Sequence, residues 1–201
     1  SPTYLGEEIE EARKTAKILG IPHEIVETRE LESESFASNP PDRCYHCKLE
    51  LFGTLRAIAE QRGLAAVAEG TNLSDLEDYR PGLRAIAELG IRSPLVEAGL
   101  TKEEIRELSR KKGLPTWNKP ALACLASRFP YGMRITKERL TQVASAERFL
   151  RSLGLGQLRV RHHGAIARIE VEAASIAEVV SHREVIAAKL KALGFAYVAV
   201  D

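Results

Sequence analysis

Apolar residues recur along the chain at two periods, helical and strand, and their arrangement changes after about Trp117. Ile9, Ala12, Ala16 and Leu19 fall at helical spacing, which predicts a first helix closed by Gly20. Glu7, Glu8, Glu10 and Glu11 lie early in it and Lys14 and Lys17 late, a polarity that suits the helix dipole. Residues 23–27 read as a short strand, and residues 49–62 as a second helix stopped by Gly63. The apolar run 65–68 has the character of a central parallel strand, buried on both faces. A helix over 83–89, ended by Gly90, leads into the segment Ile91-Arg-Ser-Pro-Leu-Val96. Thr101 and Glu104 form a capping box for a helix reaching Lys112, with Gly113 as its stop. Helices alternating with short strands predict an α/β fold with a doubly wound parallel sheet.

The pattern shifts after about Trp117. Pro115, Pro120 and Pro130 punctuate a helix-poor stretch, and Thr136 caps a long helix to Leu153. Residues 157–163 and 167–171 alternate with the strand period and are joined at 163–165. A helical segment over 175–193 and a strand at 197–200 complete a smaller α+β unit. The reading gives two domains, 1–118 and 119–201, with the boundary in the region 118–133. No internal repeat or low-complexity tract is present.

Composition narrows the class only slightly. The chain has 201 residues, 44% hydrophobic and 28% charged, as expected of a globular protein. A net charge of +1 gives no global field for nucleic acid or an anionic membrane. No apolar run nears the roughly 20 residues that span a bilayer, and the start has no signal-peptide pattern. Three cysteines are an odd count for a disulfide framework and point to a reducing cytosol. The start at Ser1-Pro2 and the end straight after a strand suggest sequence missing at both ends.

The candidate chemistry sits in four stretches. Cys44 and Cys47, in Pro41-Asp-Arg-Cys-Tyr-His-Cys-Lys48, are spaced so that two thiolates reach one metal. The prolines before them are expected to keep Asn39 and Pro40 extended, placing the thiols where a loop enters a helix. Cys124 lies far along the chain. Structural zinc needs four ligands, which His46 or His23 would complete. Three thiolates on a [4Fe-4S] cluster leave one iron open, as a catalytic centre requires. A redox pair is a further option, although that motif usually opens a helix after a strand. Spacing leaves zinc and iron–sulfur both open. The stretch Glu69-Gly-Thr-Asn72 follows the apolar run, where ligands bind in parallel sheets. Gly70 admits close backbone approach, and beyond it Asp75 and Asp78 suit Mg²⁺ and Arg80 a phosphate; the alternative is a capped loop with a solvated acidic cluster. Ser127 and Arg128 adjoin Cys124, and an arginine there suits either lowering the thiol pKa or binding an anionic substrate, although exposed loop arginines usually do neither. Alternation puts Arg159, Arg161 and His163 on one strand face, which reads either as a phosphate site or as a solvated surface. Trp117 and Tyr131 read as packing.

Together these stretches resemble a known family along essentially the whole chain. Ser-Pro-Thr-Tyr at 1–4, the segments 41–48 and 69–82, Ala-Cys-Leu-Ala-Ser-Arg-Phe-Pro-Tyr-Gly at 123–132 and Leu-Arg-Val-Arg-His-His-Gly at 158–164 are similar to the ATP-dependent sacrificial sulfur transferases of the nickel-pincer cofactor pathway, which are PP-loop ATP pyrophosphatases. The resemblance implies that ATP, with Mg²⁺, adenylates a carboxylate of pyridinium-3,5-biscarboxylic acid mononucleotide, and that sulfur then displaces AMP to leave a thiocarboxylate. It implies that Cys44, Cys47 and Cys124 hold a [4Fe-4S] cluster whose open iron carries a hydrosulfide resupplied from a sulfide source. It implies nucleotide contacts at Lys48, Gly70, Thr71, Asn72, Asp75, Asp78 and Arg80, and substrate contacts at Ser127, Arg128, Arg159 and Arg161. Glu147 and Glu170 match acidic positions of the family. A homo-oligomer, of the hexameric kind the family tends to form, is implied as well. The family's pyrophosphate loop and its C-terminal Gly-Tyr-Arg segment are absent here, so ATP turnover is not expected of this polypeptide as written. The alternatives are a PP-loop tRNA thiolase, which calls for a basic surface, and a non-enzymatic zinc-binding module.

Overall fold

The computed structural model describes all residues except Pro2 and Ala121. The chain divides into two compact units: the first comprises Ser1 with 7–36 and 40–120, the second 3–6, 37–39 and 122–201.

The first unit is helical. Helix α1 spans Gly6–Leu19, and Gly20, at φ 65°, terminates it in the left-handed conformation. A single turn, α2 (Glu34–Ala37), precedes the long helix α3 (Arg43–Gln61). Helix α3 begins six residues earlier than the apolar period suggests. The prolines sit just before it, and the Arg43 amide donates to the Pro40 carbonyl at 3.0 Å, so the turn after Pro40 runs directly into the helix. Asn39 is not extended as expected: its φ is 58°. That conformation is tolerated by asparagine, and here the fully buried side chain donates from Nδ2 to the Pro130 carbonyl at 2.8 Å. Helix α4 (Gly82–Glu88) packs on α3, α5 is one turn (Pro94–Glu97), and α6 spans Lys102–Lys111. The expected capping box of α6 is formed, with the Glu104 amide donating to Thr101 Oγ1 at 3.3 Å and the Thr101 amide to Glu104 Oε2 at 2.9 Å.

No doubly wound sheet is present among the described residues; the sole named sheet has three strands and lies in the second unit. Of the segments read as strands, 23–27 has no ladder among the described residues, and 65–68 reaches only an isolated parallel bridge, Ala68 to Arg92. The run 91–96 turns into α5 because Pro94 fixes φ at the first helical position. A strand needs neighbours to satisfy its backbone, and here only the Glu69 and Arg92 amides find cross-chain carbonyls, at 2.9 and 3.0 Å. One apolar cluster of this unit has Phe52, Ile86 and Ile91 buried, with Leu51, Leu55, Val67, Leu83 and Leu89 packed around them.

The second unit matches its pattern closely. Helix α7 (Lys137–Ser152) is capped by Thr136, whose Oγ1 accepts from the Arg139 amide at 3.3 Å. Strands β1 (Leu158–His163) and β2 (Ile166–Val171) form an antiparallel hairpin, with Gly164 in its turn at φ 65°. Two helices, α8 (Ile176–Ser181) and α9 (Arg183–Ala192), stand where one was expected, and β3 (Tyr197–Val200) pairs parallel to β2. One face of the hairpin is core: Val160, Ala167 and Ile169 are fully buried with Val143, Ala146, Leu150 and Leu190 from the helices. No helix among the described residues is long and apolar enough to cross a membrane.

Candidate functional site

The first unit presents Cys44, Cys47 and Lys48 on the opening turns of α3. Residues three and four apart share a helix face, so these side chains lie together. Neighbours fix that end of the helix: Tyr45 Oη donates to Glu88 Oε2 of α4 at 2.7 Å, and the Arg84 guanidinium lies 3.6 Å over the tyrosine ring. Gly82 lets α4 come this close. A Cβ there would stand 2.7 Å from Lys48 Cδ and 3.3 Å from the Cys44 carbonyl oxygen. The Lys48 stem therefore runs along the start of α4, and its Nζ ends 3.7 Å from Glu69 Oε2.

Glu69 organises the loop beyond. It accepts from Ser93 Oγ at 2.6 Å, Thr71 Oγ1 at 2.6 Å and the Thr71 amide at 3.0 Å. Burial alone would raise its pKa. The hydrogen bonds from Ser93 and Thr71, with the Lys48 charge, outweigh burial and hold the carboxyl below the ordinary glutamate range. Asn72 caps the next turn, its amide and Nδ2 donating to Asp75 Oδ2 at 3.1 and 2.8 Å. Arg80 closes this network with Asp75 at 2.7 Å and the exposed Asp78 at 3.7 Å. Lys48, Thr71, Asn72, Asp75, Asp78 and Arg80 thus form two adjoining polar networks, and Gly70, in the same loop, has open space around its Cα. Ser93, the donor that fixes Glu69, is absent from the sequence reading. It lies 24 residues beyond its partner, with no motif to mark it.

In the second unit Cys124 precedes a single 3-10 turn, Leu125–Arg128. Arg128 is buried, at 2% exposure, and each of its three nitrogens is committed. Nε and Nη2 donate to Glu147 at 2.8 and 3.2 Å, and Nη1 to the Ala123 carbonyl and Ser127 Oγ, both at 2.9 Å. Glu147 is wholly buried on α7 and also accepts from Arg151 at 2.8 Å and the Val160 amide at 3.1 Å. Arg128 and Glu147 therefore engage each other, while the resemblance implies a substrate contact for Arg128.

The outer face of the hairpin carries Arg159, Arg161 and His163, as the alternation requires. Arg161 donates to Glu170 Oε2 at 2.8 Å and to the Ser127 carbonyl at 2.7 Å. Glu170 is shared with Arg168 at 2.5 Å. Burial would raise the Glu170 pKa, but hydrogen bonds and charge from Arg161 and Arg168 bring it below the usual range. Arg168, which the sequence reading omits, lies directly across from Arg161 in the strand register; pairing the two strands on paper would have found it. Among the described residues Arg159 makes no ion pair, although it borders a cavity of about 250 Å³ with Glu170 and Glu172. A second cavity of about 210 Å³ opens between Ser127, Pro130, Arg161, His163 and Arg168.

All three cysteines are half-buried and none forms a disulfide. Cys44 and Cys47 belong to the first unit and Cys124 to the second. Among the described residues no group of three His, Cys, Asp or Glu side chains is assembled as a metal site. The donor set itself suits a soft metal centre: three thiols, two of them on successive turns of one helix. His46 is paired with Asp42 at 3.6 Å.

No family model matches the chain. It is 45% identical over its whole length to an uncharacterised protein of Synechocystis, of which it covers 76%. It is 39% identical, again over its whole length, to the pyridinium-3,5-bisthiocarboxylic acid mononucleotide synthase of Lactiplantibacillus plantarum, of which it covers 73%. A tRNA-specific 2-thiouridylase of Desulforamulus reducens is 27% identical over 56% of the chain and 38% of its own length. The thiol-bearing helix, the polar loop beside it and these relatives define the class: a sulfur-inserting enzyme of the PP-loop superfamily. Within that class the chain belongs to the family of the pyridinium-3,5-bisthiocarboxylic acid mononucleotide synthases.

Proposed function

We propose that the protein is an ATP-dependent sulfur transferase that converts a carboxylate of pyridinium-3,5-biscarboxylic acid mononucleotide to a thiocarboxylate. The observation that carries this reading is 39% identity over the whole chain to the Lactiplantibacillus synthase. A carboxylate oxygen is a poor leaving group, and adenylation by ATP, with release of pyrophosphate, replaces it with AMP. The first unit handles the nucleotide in this reading. Lys48, steered by ionised Glu69, brings a cation to the loop 69–72, where Gly70, Thr71 and Asn72 face the ligand. Asp75 and Asp78 offer carboxylates to Mg²⁺, and Arg80, held between them, offers a guanidinium to a phosphate. The second unit handles the substrate. Arg159, which makes no ion pair among the described residues, takes the substrate phosphate, and Ser127 and Arg161 border the cavity that receives the carboxylate.

In this reading Cys44, Cys47 and Cys124 would be the thiolates that hold a [4Fe-4S] cluster. When bound, such a cluster supplies sulfide to the activated carboxylate from a resupplied source, sparing the cysteines themselves. The enzyme works in the cytosol as a homo-oligomer, as the family resemblance implies.

The decisive measurement is iron and acid-labile sulfide on anaerobically purified protein. We expect about four of each per chain, and loss of both in Cys44→Ala, Cys47→Ala and Cys124→Ala, because two thiolates do not hold a cubane securely. Stoichiometric zinc in place of iron sinks the cluster. A mass loss of about 34 Da at Cys124 after reaction, the signature of thiol elimination, identifies the cysteine itself as the donor.

A further inference from the structure

We propose that Arg128 is the positioning residue of Cys124, anchored for that task by the buried carboxylate of Glu147. A guanidinium at 2% exposure and a carboxylate at 0% are costly to desolvate, and such a pair persists only where geometry and hydrogen bonding repay the cost. Here the geometry is saturated. Glu147 accepts from Arg128 Nε and Nη2, Arg151 Nη2 and the Val160 amide, so the carboxylate is fixed from three directions. Its own place on α7 is set by Val143, Ala146 and Leu150, all at 0% exposure.

Glu147 uses up two nitrogens of Arg128 and leaves the third, Nη1, aimed at the turn that carries the thiol. Nη1 reaches the Ala123 carbonyl at 2.9 Å, the Cys124 carbonyl at 3.4 Å and Ser127 Oγ at 2.9 Å. The same segment is held by the Ser127 amide on the Cys124 carbonyl at 3.0 Å and by the Leu125 amide on the Thr3 carbonyl at 2.8 Å. A single 3-10 turn has little stability of its own. The arginine therefore ties the backbone on both sides of Cys124 to the rigid core of the unit, and the thiol's position follows from that tie. Lysine cannot substitute, since one ammonium on a flexible stem cannot span two carboxylate oxygens and two carbonyls. The consequence for sulfur transfer rests on the functional reading of Cys124 given above. The tie itself is tested without metal or substrate, so either can fail alone.

The test is hydrogen exchange on the metal-free full chain, with mass-resolved alkylation of Cys124 by iodoacetamide. The double variant Arg128→Met/Glu147→Gln keeps side-chain volume and leaves an acceptor for Arg151 and the Val160 amide. We expect amides of residues 125–128 to exchange at least about tenfold faster, the alkylation rate at Cys124 to change severalfold, and the β1–β2 ladder to keep its protection. Arg151→Ala, which removes another donor from the same carboxylate, is expected to leave 125–128 unchanged. Unchanged exchange at 125–128 in the double variant, or an equal rise in Arg151→Ala, overturns the proposal. If the double variant loses ladder protection too, Arg128→Lys decides. Faster exchange confined to 125–128 supports the role, and a uniform rise overturns it.

Discussion

His162 lies between Phe129 and Phe195, with ring centroids 5.2 and 5.3 Å away, on the core side of β1. Its Nδ1 accepts from the Gly164 amide at 3.2 Å, which places the proton on Nε2 for donation to Gln142 Oε1 at 3.0 Å. The ring is thus built in as a neutral group. Burial pushes its pKa below the ordinary histidine value, and the nearby Arg139 charge adds to the effect. A depressed folded pKa means that the unfolded chain binds the proton first. The stabilisation is complete above about pH 6.5, the unfolded value, and drains away as pH falls toward the folded one. His162→Gln is expected to flatten that acid limb while lowering stability at neutral pH, as read from urea midpoints measured across pH 5–8. A limb of unchanged slope would place the proton uptake on another group. The sequence marks this residue only as one of two adjacent histidines. Its burial, on the opposite face from His163, is a finding of the assembled hairpin.

Helix α3 depends on a contact visible only once the elements are assembled. Gly82 has an ordinary backbone conformation, so nothing local demands glycine; the demand comes from Lys48 Cδ and the Cys44 carbonyl on the neighbouring helix. Gly82→Ala is expected to cost about 1–3 kcal/mol, as overpacking does. Adding Lys48→Ala should recover part of that loss in a double-mutant cycle read by urea unfolding. Full additivity would show that the lysine stem is not what the methyl group meets. The helices themselves were largely legible: Gly20, Gly63, Gly90 and Gly113 each take positive φ as stops, and the Thr101 capping box forms. The strands of the first unit were not. A short apolar run states that a segment wants burial, and it does not state whether a ladder stands beside it. The same limit applies to chemistry. The residues themselves singled out Asp75 and Arg80, and the family resemblance Lys48, but neither gave a sign that Asp75 and Arg80 bind each other or that Glu147 occupies Arg128.

At the level of the whole molecule the two units are unequal. Residues 122–201 supply most of the fully buried side chains, whereas the first unit exposes Ile18, Ile21, Ile25 and Leu64. The stability of the second unit therefore rests on tight apolar packing. Leu150→Ala, at a site with no exposure, should cost about 2–5 kcal/mol, read as faster amide exchange across β1, β2 and β3. A cost under about 1 kcal/mol would mean that α7 collapses onto the gap. The hairpin in that unit divides its arginines by environment: Arg128 is sealed behind it against Glu147, and Arg159 stands on its outer side, with no ion-pair partner among the described residues. Dissolved salt reaches only one of them. At physiological ionic strength the screening length is about 8 Å, so mobile counterions compete for the outer guanidinium and scarcely touch the sealed pair. Rising ionic strength thus screens the charge that Arg159 presents to solvent and leaves the sealed Arg128–Glu147 pair in place.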